Sequence, residues 1–206
     1  MKLKSLLIAS IFICTTAINT DAQKLKGQSN FTIGTSFSLT SFFINIIKEA
    51  LNTSTEITAK SIPAVNAMYD FGLSESFSVG AAFSYQQWTA EYGGYYNSNG
   101  DTVVGNFKDK MTRTNFGIRP LFHFGENENL DMYMGARLSF TQWGYSSDSG
   151  NGKTSGDIFA GANPIKFQAL FGMRYFFTEN VGFNMELAVG PTYYAMFGVN
   201  LRFGGM

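Results

Sequence analysis

The chain has little charge, one cysteine, one histidine and no long apolar run beyond its first residues. Each shortage excludes something. Cys14 is the lone cysteine and sits in an N-terminal stretch read below as a discarded peptide. The rest of the chain therefore holds no disulfide and no cysteine-based metal site. Lys and Arg number 15 against 15 Asp and Glu. A nucleic-acid partner normally shows as a strong basic excess, and there is none. No later segment approaches the ~18 consecutive apolar residues of a membrane helix. What is abundant is Phe (21) and Gly (22), with aromatic residues at 16%. A Phe/Tyr/Gly-rich chain with few charges and no helical span fits a membrane β-barrel or a secreted β-sandwich.

The first residues are basic at Lys2 and Lys4, apolar from Leu6 to Ile13, and uncharged until Asp21. This is the pattern of a secretory signal peptide. We place the cut after Ala22, so 1–22 is the signal peptide and 23–206 one exported domain. Losing Lys2, Lys4 and Asp21 leaves 15 − 2 = 13 basic and 15 − 1 = 14 acidic residues.

Alternation with period two runs through most of that domain. Phe31, Ile33, Thr35, Phe37 and Leu39 share one strand face, and Thr32, Gly34, Ser36, Ser38 and Thr40 the other. The same pattern predicts further strands at 64–73, 77–88, 112–124, 130–143, 165–176, 181–189 and 193–203. Eight strands mostly of about 9–13 residues suit a tilted transmembrane strand. Connections are short at 73–76, 125–129 and 177–180, and long at about 44–62, 89–111 and 144–164. That is the expected rhythm of short periplasmic turns and longer extracellular loops. The last outer connection, 190–192, is brief and departs from it. One face is broadly apolar, while the other carries Gly, Ser, Asn and Arg. Turning that Arg-bearing face to lipid would cost about 2–4 kcal/mol for each midplane Arg or Lys. The polar set therefore points inward. Tyr69, Phe71, Phe77, Phe122, Phe124, Tyr175 and Phe203 fall near the periplasmic strand ends and Tyr85 near an outer one, as in aromatic girdles.

The expected fold class is an all-β, eight-stranded antiparallel up-and-down transmembrane β-barrel. At this point the sequence resembles the small outer-membrane β-barrel family of the OmpA/OmpX type, in a Bacteroidota-like version. The resemblance rests on the strand–turn–strand unit Tyr69-Asp70-Phe71-Gly72-Leu73-Ser74-Glu75-Ser76-Phe77-Ser78-Val79-Gly80. Leu130-Asp131-Met132-Tyr133-Met134-Gly135-Ala136-Arg137-Leu138 and the terminal Gly198-Val199-Asn200-Leu201-Arg202-Phe203 add to it, as does the Ala22-Gln23 junction. It implies residence in a bacterial outer membrane, with membrane lipid and lipopolysaccharide as surroundings and the barrel-assembly machinery as a partner in biogenesis. Family members usually end on an aromatic residue; here Gly204-Gly205-Met206 follow Phe203.

Candidate chemistry is sparse. Gly152-Lys153-Thr154 imitates the end of a phosphate-binding loop, but the glycine needed five positions earlier is Ser147. Asp148 and Asp157 fit no calcium-loop spacing. His123 is expected near the 125–129 turn, on the same inward parity as Asp131. A contact between them is read as structural, because substrate access there is poor. The inward charges are the most informative set: Asp70, Arg113, Arg119, Arg137, Lys166, Arg174, Glu186 and Arg202. Buried charges need partners, and counted depth puts Glu186 with Arg119 and Arg137. The set is read as a structural plug, with a narrow anion-favouring path as the alternative, since eight strands enclose just enough room for side chains. No catalytic residue, metal site or cofactor is expected. The function expected is non-enzymatic: envelope structure, or surface contact through the outer loops 44–62, 89–111 and 144–164. The alternatives are a porin-like channel and an accessory subunit of a larger outer-membrane complex. Residues 44–51 suit a short amphipathic helical turn, and Tyr92 to Asn97 is rich in Tyr, Gly and Asn, a composition suited to adaptable contacts.

Overall fold

The computed structural model describes residues 25–38, 57–96, 102–125, 127, 129–149, 152–156 and 163–204. The expected signal peptide and the expected amphipathic turn at 44–51 lie outside them. The strands are β1 (Ser29–Phe37), β2 (Ile57–Gly72), β3 (Phe77–Tyr96), β4 (Thr102–Phe124), β5 (Leu130–Ser149), β6 (Gly152–Gly156), β7 (Ile165–Phe176), β8 (Val181–Val189) and β9 (Ala195–Phe203). All pairings are antiparallel. β1 pairs both β2 and β9, and β4 also pairs β5, so eight strands close into a ring. The short β6 pairs only with the far end of β5. Closure removes the unpaired edges an open sheet would expose.

Parity decides the two faces. Along β7 exposed and buried positions alternate almost without a break. Outward, Phe116, Ile118, Phe122, Leu138, Phe140, Phe167 and Phe171 are all exposed. Inward, Arg119, Arg174, Glu186, Asn200 and Gln168 are buried completely. Large apolar residues outside and ions inside invert a water-soluble protein, and suit hydrocarbon around the ring. Outward aromatic pairs span neighbouring strands, such as Phe77–Phe122 at 4.9 Å and Phe83–Phe116 at 5.1 Å between centroids. Such cross-strand pairs help fix register.

Three strands run further than the sequence pattern suggested, and β2 starts earlier. β3 continues to Tyr96 instead of ending near Trp88. β4 starts at Thr102 instead of Thr112, β5 ends at Ser149 instead of Trp143, and β2 starts at Ile57 instead of Ala64. The segments read as loops at 89–111 and 144–164 thus contain strand, as does the end of 44–62. Beyond the apolar belt the outward positions become Thr89, Glu91, Lys108 and Lys110, so apolar alternation fades while backbone pairing continues. Gly152-Lys153-Thr154 lies in β6, a hairpin strand, without the strand–loop–helix setting a phosphate loop requires. Because β1, β8 and β9 span 9 residues each while β4 spans 23, one wall of the barrel stands well above the other.

A segment of the chain packs against each end of the ring. At the short-turn end, buried Leu25 tucks beneath β2, with Gly27 N–H donating to the Gly72 carbonyl at 2.9 Å. A Cβ on Gly72 would meet the Leu25 carbonyl oxygen at 1.8 Å. At the other end, the brief connection between β8 and β9 folds inward, and Thr192 and Tyr193 are buried. It starts at Gly190, whose φ of 139° an L side chain rarely adopts.

Candidate functional site

The lumen is the site the sequence singled out. Its central members come from five strands, β2, β4, β5, β7 and β8, and the β8–β9 connection. Asp131 accepts from Arg174 Nη1 at 3.0 Å through Oδ2. Arg174 also bonds Asp70 through Nη2. Asp70 Oδ1 lies 3.1 Å from Arg119 Nε, an ion pair outside hydrogen-bond angle. Arg119 Nη2 donates to Glu186 Oε2 at 2.6 Å, and Arg137 Nη2 lies 3.6 Å from Glu186 Oε1. The result is a continuous string, Asp131–Arg174–Asp70–Arg119–Glu186–Arg137, of three carboxylates and three guanidiniums. Its formal charges cancel.

Two tyrosines complete the string. Tyr133 donates to Glu186 Oε2 at 2.8 Å and accepts from Asn184 Nδ2 at 3.0 Å. Its ring lies 4.7 Å from the Arg174 guanidinium and 5.6 Å from that of Arg119. Tyr193 reaches in from the β8–β9 connection, its hydroxyl on Glu186 Oε1 and its ring 4.9 Å from the Arg137 guanidinium. Buried cations thus meet carboxylates and ring faces, both of which favour them.

Glycine makes this packing feasible at two places. Asp70, Gly80 and Arg119 form one register row across β2, β3 and β4. Tyr133, Gly172 and Glu186 form another across β5, β7 and β8. In each row the central residue lacks a side chain, so its neighbours meet across it. A Cβ on Gly80 would lie 1.9 Å from Asp70 Oδ1, and one on Gly172 2.3 Å from Tyr133 Cζ.

His123 adjoins the string at the short-turn end. Nδ1 is 2.7 Å from Asp131 Oδ1, and Nε2 is 2.7 Å from Ser78 Oγ. The Ser–His–Asp order invites comparison with a nucleophilic triad. All three side chains are buried, and Asp131 is shared with Arg174. A triad also needs oxyanion donors beside a space for the substrate. Around Ser78 the Gly72 N–H donates to the Gln28 carbonyl at 2.9 Å and the His123 N–H to the Ser76 carbonyl at 2.8 Å, so both amides are already engaged.

The remaining expected members sit apart. Arg113 forms a cap at the high-wall end, beside the stacked pair Trp88 and Trp143, with its guanidinium 5.5 and 5.7 Å from their ring centroids. Its Nη2 donates to Gln86 Oε1 at 2.7 Å and to the Thr192 carbonyl at 2.9 Å. Lys166 is half-buried near the start of β7, and among the described residues it makes no ion pair. Arg202 stands at the short-turn rim, its guanidinium 3.8 Å from the Phe176 centroid and Nε donating to the Glu179 carbonyl at 2.8 Å. Its inward parity holds, but the strand ends there, so the side chain swings under the rim. Asp131, Tyr133 and Tyr193 were not among the network residues expected from sequence. Parity marks the first two; Tyr193 could be found only from the brevity of the connection that carries it.

No protein-family model matches the sequence, and a comparison with curated proteins finds no match. Solved structures do match. Outer membrane protein OprG from Pseudomonas aeruginosa is 10% identical over 91% of this chain and 100% of its own, with a TM-score of 0.51. Ail of Yersinia pestis is 13% identical over 86% and 99%, TM-score 0.49. The N-terminal β-barrel domain of Pseudomonas aeruginosa OprF is 16% identical over 86% and 98%, TM-score 0.43. The chain has the fold of the small outer-membrane β-barrels.

Proposed function

We propose that this protein is a non-enzymatic barrel of the bacterial outer membrane that holds a raised, strand-built wall at the cell surface, with a lumen that serves as a plug. The observation that carries this reading is the filled lumen: a charge-balanced ionic string, capped by Leu25 at one end and by the β8–β9 connection with Arg113 at the other. The sequence alone suggested an excess of inward cations. The surplus cations, Arg113, Lys166 and Arg202, lie outside the string, so its centre offers no net charge to draw an anion. Outside the membrane, β2 to β6 form one continuous sheet with no counterpart, among the described residues, on the β7–β9 side. A sheet lifted on a rigid base suits contact with other surface molecules.

Planar-bilayer recording of the folded protein tests the plug. No conductance steps are expected from wild type. Steady anion-selective steps would replace this reading with the narrow channel. Co-purification of a stoichiometric partner in mild detergent would instead favour a subunit of a larger complex.

A further inference from the structure

The inward face of the raised wall is aromatic where the lumen below it is ionic. From floor to top it carries Trp143, then Trp88, Met111 and Tyr145, then Tyr92 and Phe107. Trp88 and Trp143 stack at 5.8 Å with 19° between their planes, and Tyr92 and Phe107 lie 5.6 Å apart. Asp109, the carboxylate among them, accepts from the Tyr92 hydroxyl at 3.3 Å and the Ser147 hydroxyl at 2.5 Å, so it is satisfied within the sheet. Trp88 is 4% exposed and Phe107 7%. Among the described residues no strand stands opposite them: β1 and β9 end at the Phe37–Ala195 pair, and β7 begins at Ile165, across from Phe140. A sheet with one apolar face needs a second layer against it.

The connection from β1 to β2 is tethered at both ends of this face. Ser38, just past β1, donates from Oγ to Gln86 Oε1 at 3.3 Å, on the floor row with Arg113. Ile57, where β2 starts, pairs with Tyr92 at the top. Gln86 and Tyr92 are six residues apart on β3, which is about 20 Å of strand. Residues 39–56 would reach about 60 Å fully extended, about three times what that climb needs. Their large apolar members include Leu39, Phe42, Phe43, Ile46, Ile47 and Leu51, the spacing of one helical face, with Ser41, Asn45, Lys48 and Asn52 on the other. As a helix, 39–51 would measure about 20 Å, the height of the aromatic face.

We propose that residues 39–51 lie as an amphipathic helix along the inward face of β3–β5, with their Phe and Ile side chains against Trp88, Trp143 and Phe107. The wall is then a two-layer element built from one chain. The tether favours this occupant over a free partner, because it holds the segment at a local concentration of about millimolar or more. The proposal builds on the surface-contact reading above and narrows it, leaving the outward face of the wall for other surface molecules.

Trp88 and Trp143 are the two tryptophans of the sequence, so tryptophan emission reports on this face. The folded full-length protein in detergent is titrated with acrylamide. Wild type should show blue-shifted, poorly quenched emission. F43Q/I47Q should shift the emission to the red and raise the quenching constant several-fold. I44Q, which changes a residue outside the apolar arc, should leave both unchanged. Red, readily quenched emission in wild type would overturn the proposal. Shielding that survives F43Q/I47Q would also overturn it, because something other than the segment would then cover the face. Heat-modifiable mobility checks that each variant is folded, and a cysteine pair carries the test if the double variant is not. Ile47 on the helix and Ala90 on β3 both stand about 12–13 Å above the floor. I47C/A90C should cross-link within one molecule under a short bis-thiol reagent; the chain's own Cys14 lies in the expected signal peptide. Cross-links between molecules would put a second copy on the face, and no cross-link would take the segment off it; either result contradicts the proposal. Neither readout depends on conductance or on a partner, so this proposal and the proposed function fail separately.

Discussion

Gly80 and Gly172 set the residue scale, since each is the gap through which two buried polar side chains meet. Gly172→Ala drives a methyl into Tyr133, and Gly80→Ala drives one into Asp70. Each should lower the denaturant midpoint in detergent by the equivalent of about 1–3 kcal/mol, the usual cost of overpacking. Gly93→Ala is the control, because a Cβ there meets nothing within 4 Å. Glu186→Gln leaves Arg119 and Arg137 without their shared anion. Removing one partner of a buried ion pair costs about 3–5 kcal/mol, and a similar fall in unfolding stability is expected, read from the same denaturant titration. Adding Arg137→Gln should restore part of it, because the string becomes balanced again. The nearness of Arg119 and Arg137 to Glu186 was legible from parity and counted depth. The links Asp131–Arg174 and Arg174–Asp70 were legible only in part. Asp131 and Arg174 are cross-strand neighbours, whereas Arg174 and Asp70 meet across the lumen from strands separated by three others. A sequence gives the face a residue points to; it does not give its bearing around the ring.

At the scale of elements, the strands within the belt were legible and their extensions were not. β7 and β8 match the alternation to the residue, because each lies wholly between lipid and lumen. Above the belt the outward positions of β3 and β4 turn polar while Trp88, Tyr92 and Phe107 fill the inward ones, so the apolar parity of the belt reverses and the pattern no longer continues. Gly93 and Gly94 completed the impression of a loop, yet the β3–β4 ladder merely shifts register there and continues. The raised sheet carries its own pH dependence. Lys108 first, then Lys60, hold the Glu91 carboxyl below the usual carboxylate range. A depressed carboxylate supports the folded state above its unfolded pKa, and that support is lost as pH falls through the lower folded value. Amide protection in the upper part of β3, taken relative to the intrinsic exchange rate at each pH, should therefore fall on acidification below the ordinary Glu range. Glu91→Gln should show the lower protection already at neutral pH and no further fall on acidification.

At the scale of the whole molecule, a closed ring turns its aromatic face outward and its ions inward, and one wall stands above the rest. That inversion has a consequence for where the protein can be stable. In water the exposed Phe, Ile and Leu of the belt would form an apolar surface far larger than a soluble monomer carries. In a bilayer the same surface is satisfied, and the ionic string is shielded from lipid by the strands. The most direct measurement is the gel mobility of the protein from isolated outer membranes, unboiled against boiled in detergent. The account predicts a distinct, compact unboiled species that converts fully to the denatured position on heating. A protein recovered in the soluble fraction, with one mobility before and after boiling, would contradict it.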